Sequence, residues 1–437
     1  AAAALSLAAG VFFVARKPEK RTLHARDGFI IVSLSWILLS FFGALPFMFS
    51  GVTEDFVVAL FETVSGFTTT GATIFTEVES LPKCILMWRS FTHWIGGMGV
   101  LVFIMAFVNL SGGQNMHIMR AESPGPSVSK LVPRIRTTAA ILYGIYVVLT
   151  VIELILLLCG GMSFFEALNT AFSTAGTGGF GFKNDSVAGF SPYIQIVVTV
   201  FMLLFSVNFS SYYLLLKGRL KDAFNAELRW FIVIVTAAIT IISFNVSSLY
   251  DSTGEAVRHS AFTVATIMST TGFAVTDHNQ WPELSRCLIV ILTFIGACAG
   301  STGGGIKISR IMILIRGIGK ELENLVHPRQ VKKIMIDGNA VGHDVVRSVN
   351  VYMVCYVLIY VFSMLILSFD DHDFITNFTA VAATINNVGP GLELVGPSGN
   401  FAFFSPISKM VFIFDMLAGR LELFPVLVLL YPATWKK

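Results

Sequence analysis

The chain has 437 residues, 54% of them hydrophobic and only 13% charged, with 39 Phe and a formal net charge of +3. A soluble domain of that length needs far more charge to cover its surface, so the composition excludes a soluble protein; so small a net charge points to no nucleic-acid partner. Apolar runs of about 20 residues, the length that crosses a hydrocarbon core of about 30 Å, recur along the sequence and make it a multi-pass protein of the lipid bilayer.

In chain order, Ala1 to Ala15 is apolar but too short to span alone, and Arg16-Lys17-Pro18-Glu19-Lys20-Arg21 follows it. A secretory signal carries its charges before the apolar stretch, so residues 1–26 are expected to be the remnant of an N-terminal membrane helix and a basic linker. Beyond them one pattern is read four times: a long apolar helix, a polar turn, a short helix ending in a Gly-containing motif, and a second long helix. The repeats are expected at 27–110, 137–217, 229–316 and 345–437, joined by linkers at 111–136, 218–228 and 317–344. First helices are predicted at roughly 28–50, 137–160, 229–250 and 345–369, and second helices at roughly 83–109, 191–216, 284–315 and 406–431.

The segments between them, Glu54 to Gly66, Ser163 to Ala175, Glu255 to Thr271 and Asp373 to Val388, are too short to cross and return, and read as re-entrant half-helices. Each closes on a similar tetrapeptide: Thr68-Thr69-Thr70-Gly71, Ser173-Thr174-Ala175-Gly176, Ser269-Thr270-Thr271-Gly272 and Asn386-Asn387-Val388-Gly389. Lys and Arg crowd the termini and the linkers between repeats, whereas the turns within repeats carry Glu54-Asp55 or Asp370-Asp371-His372-Asp373. The positive-inside rule puts the linkers in the cytoplasm, so all four repeats share one orientation and can ring an axis along the membrane normal. The expected fold is thus all-α, four fused helix–re-entrant loop–helix repeats around a central pore.

Non-helical backbone survives in a membrane only where protein or a water-filled cavity satisfies it. Four such segments meeting on an axis present rings of carbonyl oxygens that can replace the hydration shell of K+. Gly permits the dihedrals and the close approach, and the negative end of each half-helix favours a cation. The expected filter residues are Thr69, Thr70, Gly71, Thr174, Ala175, Gly176, Thr270, Thr271, Gly272, Asn387, Val388 and Gly389. Packing of small residues between helices is the competing explanation, and it is preferred for Gly96-Gly97-Met98-Gly99.

These four motifs, with Ala72-Thr73 after the first and Pro390-Gly391 after the last, resemble the Trk/Ktr/HKT superfamily of K+ transporters, specifically the bacterial Trk-type membrane subunit, over nearly the whole chain. The resemblance implies K+ uptake across the bacterial cytoplasmic (inner) membrane through one pore per subunit. It also implies a homodimer and a cytosolic, nucleotide-binding (TrkA-like) regulatory ring docked on the basic face. Gly71, where related transporters that pass Na+ carry Ser, implies K+ as the transported ion; no organic cofactor is expected.

Ala299-Gly300-Ser301-Thr302-Gly303-Gly304-Gly305-Ile306-Lys307 interrupts the third repeat's second helix with residues that form helices poorly. By resemblance Gly300, Ser301, Thr302, Gly303, Gly304, Gly305 and Lys307 form a mobile gate below the filter, with a flexible kink as the alternative. It is no phosphate-binding P-loop, because Ile306 separates Gly305 from Lys307. Arg420, an ionisable group mid-helix, reads as functional, and the resemblance aims it at this loop; a structural pair with Asp415 or Glu422 is the other option. Arg89, His93 and Trp94 are expected to pack the first repeat, with polar contacts near the outer pore wall as the alternative, and lone histidines such as His117 and His259 give no metal spacing. The five cysteines form no CxxC pair, and no nucleophile with its base appears, so no enzymatic activity is expected. An H+- or Na+-coupled K+ symporter stays open as the rival reading, although the membrane segments offer no obvious carboxylate relay beyond Glu62, Glu153, Glu166, Asp415 and Glu422, of which Glu62 and Glu166 are expected to stabilise or line the outer pore.

Overall fold

The computed structural model describes residues 2–15, 25–99, 135–328 and 332–436. A short helix, Ala2–Ala15, leads into the repeats; the basic run Arg16-Lys17-Pro18-Glu19-Lys20-Arg21, His117 and linker residues 111–134 lie outside the described residues.

Each repeat opens with a long helix: Ala25–Phe49, Ile135–Cys159, Ala226–Val246 and His343–Leu367. All four are long and apolar enough to cross a membrane. Their outward faces leave Phe244, Leu358, Phe362 and many other large apolar side chains uncovered, as a lipid-facing surface requires. The chain is a multi-pass membrane protein.

The half-helices follow at Phe56–Phe67, Phe164–Gly176, Thr253–Met268 and Phe374–Ile385. At 1.5 Å per residue each is only about 18–24 Å long, so none spans. Local chemistry sets where they begin: Asp55, Ser163, Ser252 and Asp373 accept hydrogen bonds from the backbone N–H of Val57, Glu166, Glu255 and Thr376. Glu166 returns a bond to the Ser163 N–H at 3.0 Å, so its carboxylate caps a helix.

The second helices differ from expectation. In place of continuous helices there are Lys83–Gly97; Pro192–Phe205 followed by Phe209–Leu216 at a 90° bend; Glu283–Ile295 followed by Ile308–Val326; and Pro406–Arg420 followed by Phe424–Leu430. Residues 100–109 lie outside the described residues. Breaks at 206–208 and 421–423 therefore join the expected one in repeat 3. Each has a local cause: Asn208 caps a new helix by accepting from Ser210 N at 2.8 Å, and Pro425, which has no N–H to donate, opens the last one.

Helices in lipid gain little from the hydrophobic effect, so packing shape and polar contacts set their arrangement. Phe61 meets Phe401 and Phe412 at 5.8 and 6.4 Å, tying repeat 1 to repeat 4, while Trp94 stacks on Tyr146 at 5.7 Å, tying it to repeat 2. After the helix Ile308–Val326, the linker to repeat 4 carries a hairpin, Met335–Ile336 paired with Asn339–Ala340. Asp337 and Gly338 at its tip both have positive φ, as a two-residue hairpin turn demands.

Candidate functional site

The four half-helices end alike. Thr69, Thr177, Thr270 and Asn387 all adopt the left-handed conformation, with φ between 53° and 60°. Each is followed two residues later by a positive-φ glycine: Gly71, Gly179, Gly272 and Gly389. The residue between them donates its N–H back into the half-helix, Thr70 to Ser65, Gly178 to Ser173, Thr271 to Thr266 and Val388 to Ala383, at 2.8–2.9 Å. Four left-handed non-glycine residues cost about 1–2 kcal/mol each and persist only where the surroundings enforce them.

What enforces them is a closed circle. A Cβ on Gly71 would collide with the Gly178 carbonyl oxygen, one on Gly179 with Thr271, one on Gly272 with Val388, and one on Gly389 with Thr70. Each glycine therefore abuts the next repeat's carbonyl, and the fourth returns to the first. All four glycines line one cavity of about 150 Å3, with Thr73 and Lys183 on its wall.

This geometry corrects one corner of the sequence reading. Thr174, Ala175 and Gly176 lie inside the repeat-2 half-helix, not on the circle, and a Cβ at Gly176 would strike the His93 backbone carbonyl. Gly176 is a packing glycine; its place on the circle belongs to Thr177, Gly178 and Gly179. The half-helix runs through the whole motif to Gly176 instead of stopping ahead of it as in the other repeats, and Gly178-Gly179 soon after it were the overlooked signal. Thr69, Thr70, Gly71, Thr270, Thr271, Gly272, Asn387, Val388 and Gly389 all lie on the circle.

Behind the first corner lies a network that sequence reasoning did not assemble. Glu62 and Arg89, 0% and 2% exposed, form an ion pair at 2.8 Å. Glu62 also accepts from the Thr73 hydroxyl at 2.9 Å and Ile74 N at 3.1 Å, just past Gly71. Arg89 donates to Gly181 O at 3.1 Å and lies 4.0 Å from the Phe180 ring centre, just past Gly179. His93 bridges the same two repeats: its Nδ1 is 2.8 Å from Gly66 O, and its Nε2 accepts from Phe180 N at 3.2 Å. A neutral imidazole protonated on Nδ1 satisfies both. Trp94 packs, as expected, with Tyr146 donating to its carbonyl at 2.8 Å.

Directly against the circle, on the side away from the cavity, sits the segment between Ile295 and Ile308. Gly304 N donates to the Thr270 hydroxyl at 2.6 Å and Gly305 N to Asn386 O at 3.0 Å. A Cβ on Gly303 would stand 2.7 Å from Ser269 O. Gly300 O accepts from Phe209 N, Ser301 donates to Cys298 O at 2.6 Å, and the buried Lys307 ammonium donates to Gly303 O. Arg420 donates to Thr302 O at 2.8 Å, to Gly97 O at 2.7 Å and to Gly96 O, joining this segment to the ends of two second helices. Glu422 is engaged by Arg310, and Asp415 accepts from Ser363 at 2.8 Å. His259 stacks on Tyr250 at 4.8 Å.

Outside the spans, burial pushes His278 from 6.5 down to about 4, against a backbone contact with Gly391 that favours protonation. Asp373 is also partly desolvated, but the Thr376 hydroxyl and N–H outweigh that and hold its carboxyl below the usual range.

Comparison with known proteins agrees with this architecture. The TrkH family of cation transport proteins matches residues 1–437. The Trk system potassium uptake protein TrkH of Salmonella typhimurium is 38% identical over 426 residues, 96% of this chain and 88% of that protein. TrkG of Escherichia coli K12 is 36% identical over 95% of this chain and 86% of its own length. Among solved structures, the potassium transporter TrkH from Vibrio parahaemolyticus superposes with a TM-score of 0.86 at 35% identity, covering 97% of this chain and 88% of that one. This chain belongs to the TrkH family of cation transport proteins.

Proposed function

We propose that the chain takes up K+ across a bacterial cytoplasmic membrane, the circle of four glycines being its selectivity filter. The closed succession of glycine against neighbouring carbonyl carries this reading. In it the Thr70, Gly178, Thr271 and Val388 carbonyls follow one another around the circle, with the negative ends of four half-helices behind them. The relatives' printed role in potassium uptake supports K+ as the ion. Thr174, Ala175 and Gly176 are left out of the filter, and Thr177, Gly178 and Gly179 enter it.

The segment 296–307, pressed against the filter and pinned by Arg420, is the gate; Gly300, Ser301, Thr302, Gly303, Gly304, Gly305 and Lys307 belong to it. The basic linkers face the cytosol, as the positive-inside rule favours. A second copy of the chain and a nucleotide-binding regulatory ring are the proposed partners. With this orientation a negative interior draws K+ inward by about 2.3 kcal/mol per 100 mV.

The test is Rb+ or K+ uptake into proteoliposomes of the purified chain with no other ion gradient, run beside Gly71→Ser. Uptake that loses Na+ discrimination on substitution supports the reading. Uptake that needs an H+ or Na+ gradient transfers the case to a coupled symporter, and no flux from folded protein removes transport altogether.

A further inference from the structure

The gate segment is tethered at both ends to a single carboxylate that the filter and Arg420 leave unused. Glu227, in the first turn of the helix Ala226–Val246, uses Oε1 to accept from Ala299 N at 2.8 Å and from Ser309 N at 3.1 Å. Ala299 lies at the start of the glycine-rich stretch and Ser309 just past its end. One oxygen thus closes the segment into a loop at its base.

Glu227 is itself held from the linker. Ala226 N donates to Asp337 Oδ1 and Oδ2 at 2.9 and 3.1 Å, and Arg229 pairs with the same carboxylate at 3.3 Å. Asp337 occupies the tip of the hairpin Met335–Ala340, and Arg316, on the helix that leaves the gate segment, donates to Met335 O. A short chain of polar contacts therefore runs from the hairpin, through the start of the helix Ala226–Val246, to both ends of the gate segment.

We infer that Glu227 is a positioning residue that clamps the gate segment in its obstructing place, with the Asp337 hairpin as the handle that sets the clamp. The inference rests on the gate reading above. A carboxylate suits the task because it accepts two N–H bonds at once and both are charge-assisted. With the acceptor gone, Ala299 N and Ser309 N lose their common anchor. The segment then keeps its contacts to the filter, to Arg420 and to the backbone at Phe205, Ser206 and Phe209, but its two ends are no longer joined and its obstructing arrangement loses population.

Basal Rb+ uptake by the full chain in proteoliposomes, with no partner protein present, tests this. Glu227→Ala is expected to raise uptake by at least about fivefold, the low end of typical coupling effects, without changing the Rb+/Na+ ratio. Glu227→Gln, which keeps an acceptor oxygen at similar reach, is expected to restore the low basal rate. Asp337→Ala, on the hairpin tip, raises uptake less, and keeps the test alive where Glu227→Ala fails to fold. Deletion of Gly303 to Gly305 separates the two hypotheses. If the deletion raises uptake while Glu227→Ala and Asp337→Ala do not, the clamp is wrong and the gate stands. If the deletion also leaves uptake unchanged, the gate reading falls and the clamp with it. A changed Rb+/Na+ ratio in Glu227→Ala overturns the clamp as well, because it places the effect at the filter.

Discussion

The carbonyl circle and the segment beneath it are both irregular backbone inside a membrane, yet they are built on opposite plans. The circle is made four times, each corner with a left-handed residue, a back-donated N–H and a glycine against its neighbour. The segment 296–307, proposed above as the gate, occurs once, and side chains from elsewhere help to hold it: Glu227, Thr270 and Arg420. Repetition gives an arrangement that no single contact controls, and that suits an ion site of fixed size. A unique segment on a few polar tethers can be released by changing one of them, and that suits a barrier.

The largest expected effect tests whether the circle is as evenly supported as it looks. Among the described residues, a fully buried ion pair, Glu62–Arg89, backs the corner between repeats 1 and 2 and none backs the others. Removing one partner of such a pair strands a buried charge and typically costs about 3–5 kcal/mol. Glu62→Ala should therefore lower the unfolding temperature in detergent sharply, and removing both residues together should cost less than the sum of the single changes. Simple additivity would mean the pair is not coupled.

A second effect of about 3 kcal/mol concerns His278. Its folded pKa of about 4 lies below the unfolded value, so the unfolded chain binds more protons between those values. Stability should be complete above pH 6.5, decline as pH falls to about 4, and lose part of that slope in His278→Gln. A thermal-shift series over that range reads it, and an unchanged slope would show the imidazole titrating normally.

Next comes the contrast within repeat 2. Gly179→Ser should cost about tenfold or more in K+/Na+ discrimination, equivalent to about 1.4 kcal/mol. Gly176→Ala should instead cost stability through its clash with His93, leaving discrimination intact in the protein that folds. Swapped outcomes would return Gly176 to the filter. Smallest is Asp373→Ala, which removes a half-helix cap for about 1 kcal/mol. The same capping bond should survive in the native protein until pH falls below the usual carboxylate range, because the carboxyl is held below that range.

Much of this was legible in the sequence because the membrane imposes lengths. Spans, half-helices and their order follow from apolar runs and from Asp55, Ser163, Ser252 and Asp373 at helix starts. The motif at 173–176 misled because a hydroxyl run ending in Gly looks the same whether the half-helix stops ahead of it or runs through it; only dihedrals separate Gly176 from Gly179. The breaks at 206–208 and 421–423 had weak local signs in Asn208 and Pro425. The Glu62–Arg89 pair, 27 residues apart, and the Glu227 tethers, 72 and 82 residues long, join residues that no local pattern connects.

The position just before each glycine of the circle is Thr70, Gly178, Thr271 and Val388, four corners carrying three different residue types. Four identical subunits around an axis must repeat any side chain fourfold, so a substitution there alters every face at once. A single polypeptide holding all four corners is free of that constraint. Its mutations change one corner of the circle at a time, so with the circle as the proposed filter, ion preference is graded in quarter steps while the glycine scaffold stays untouched.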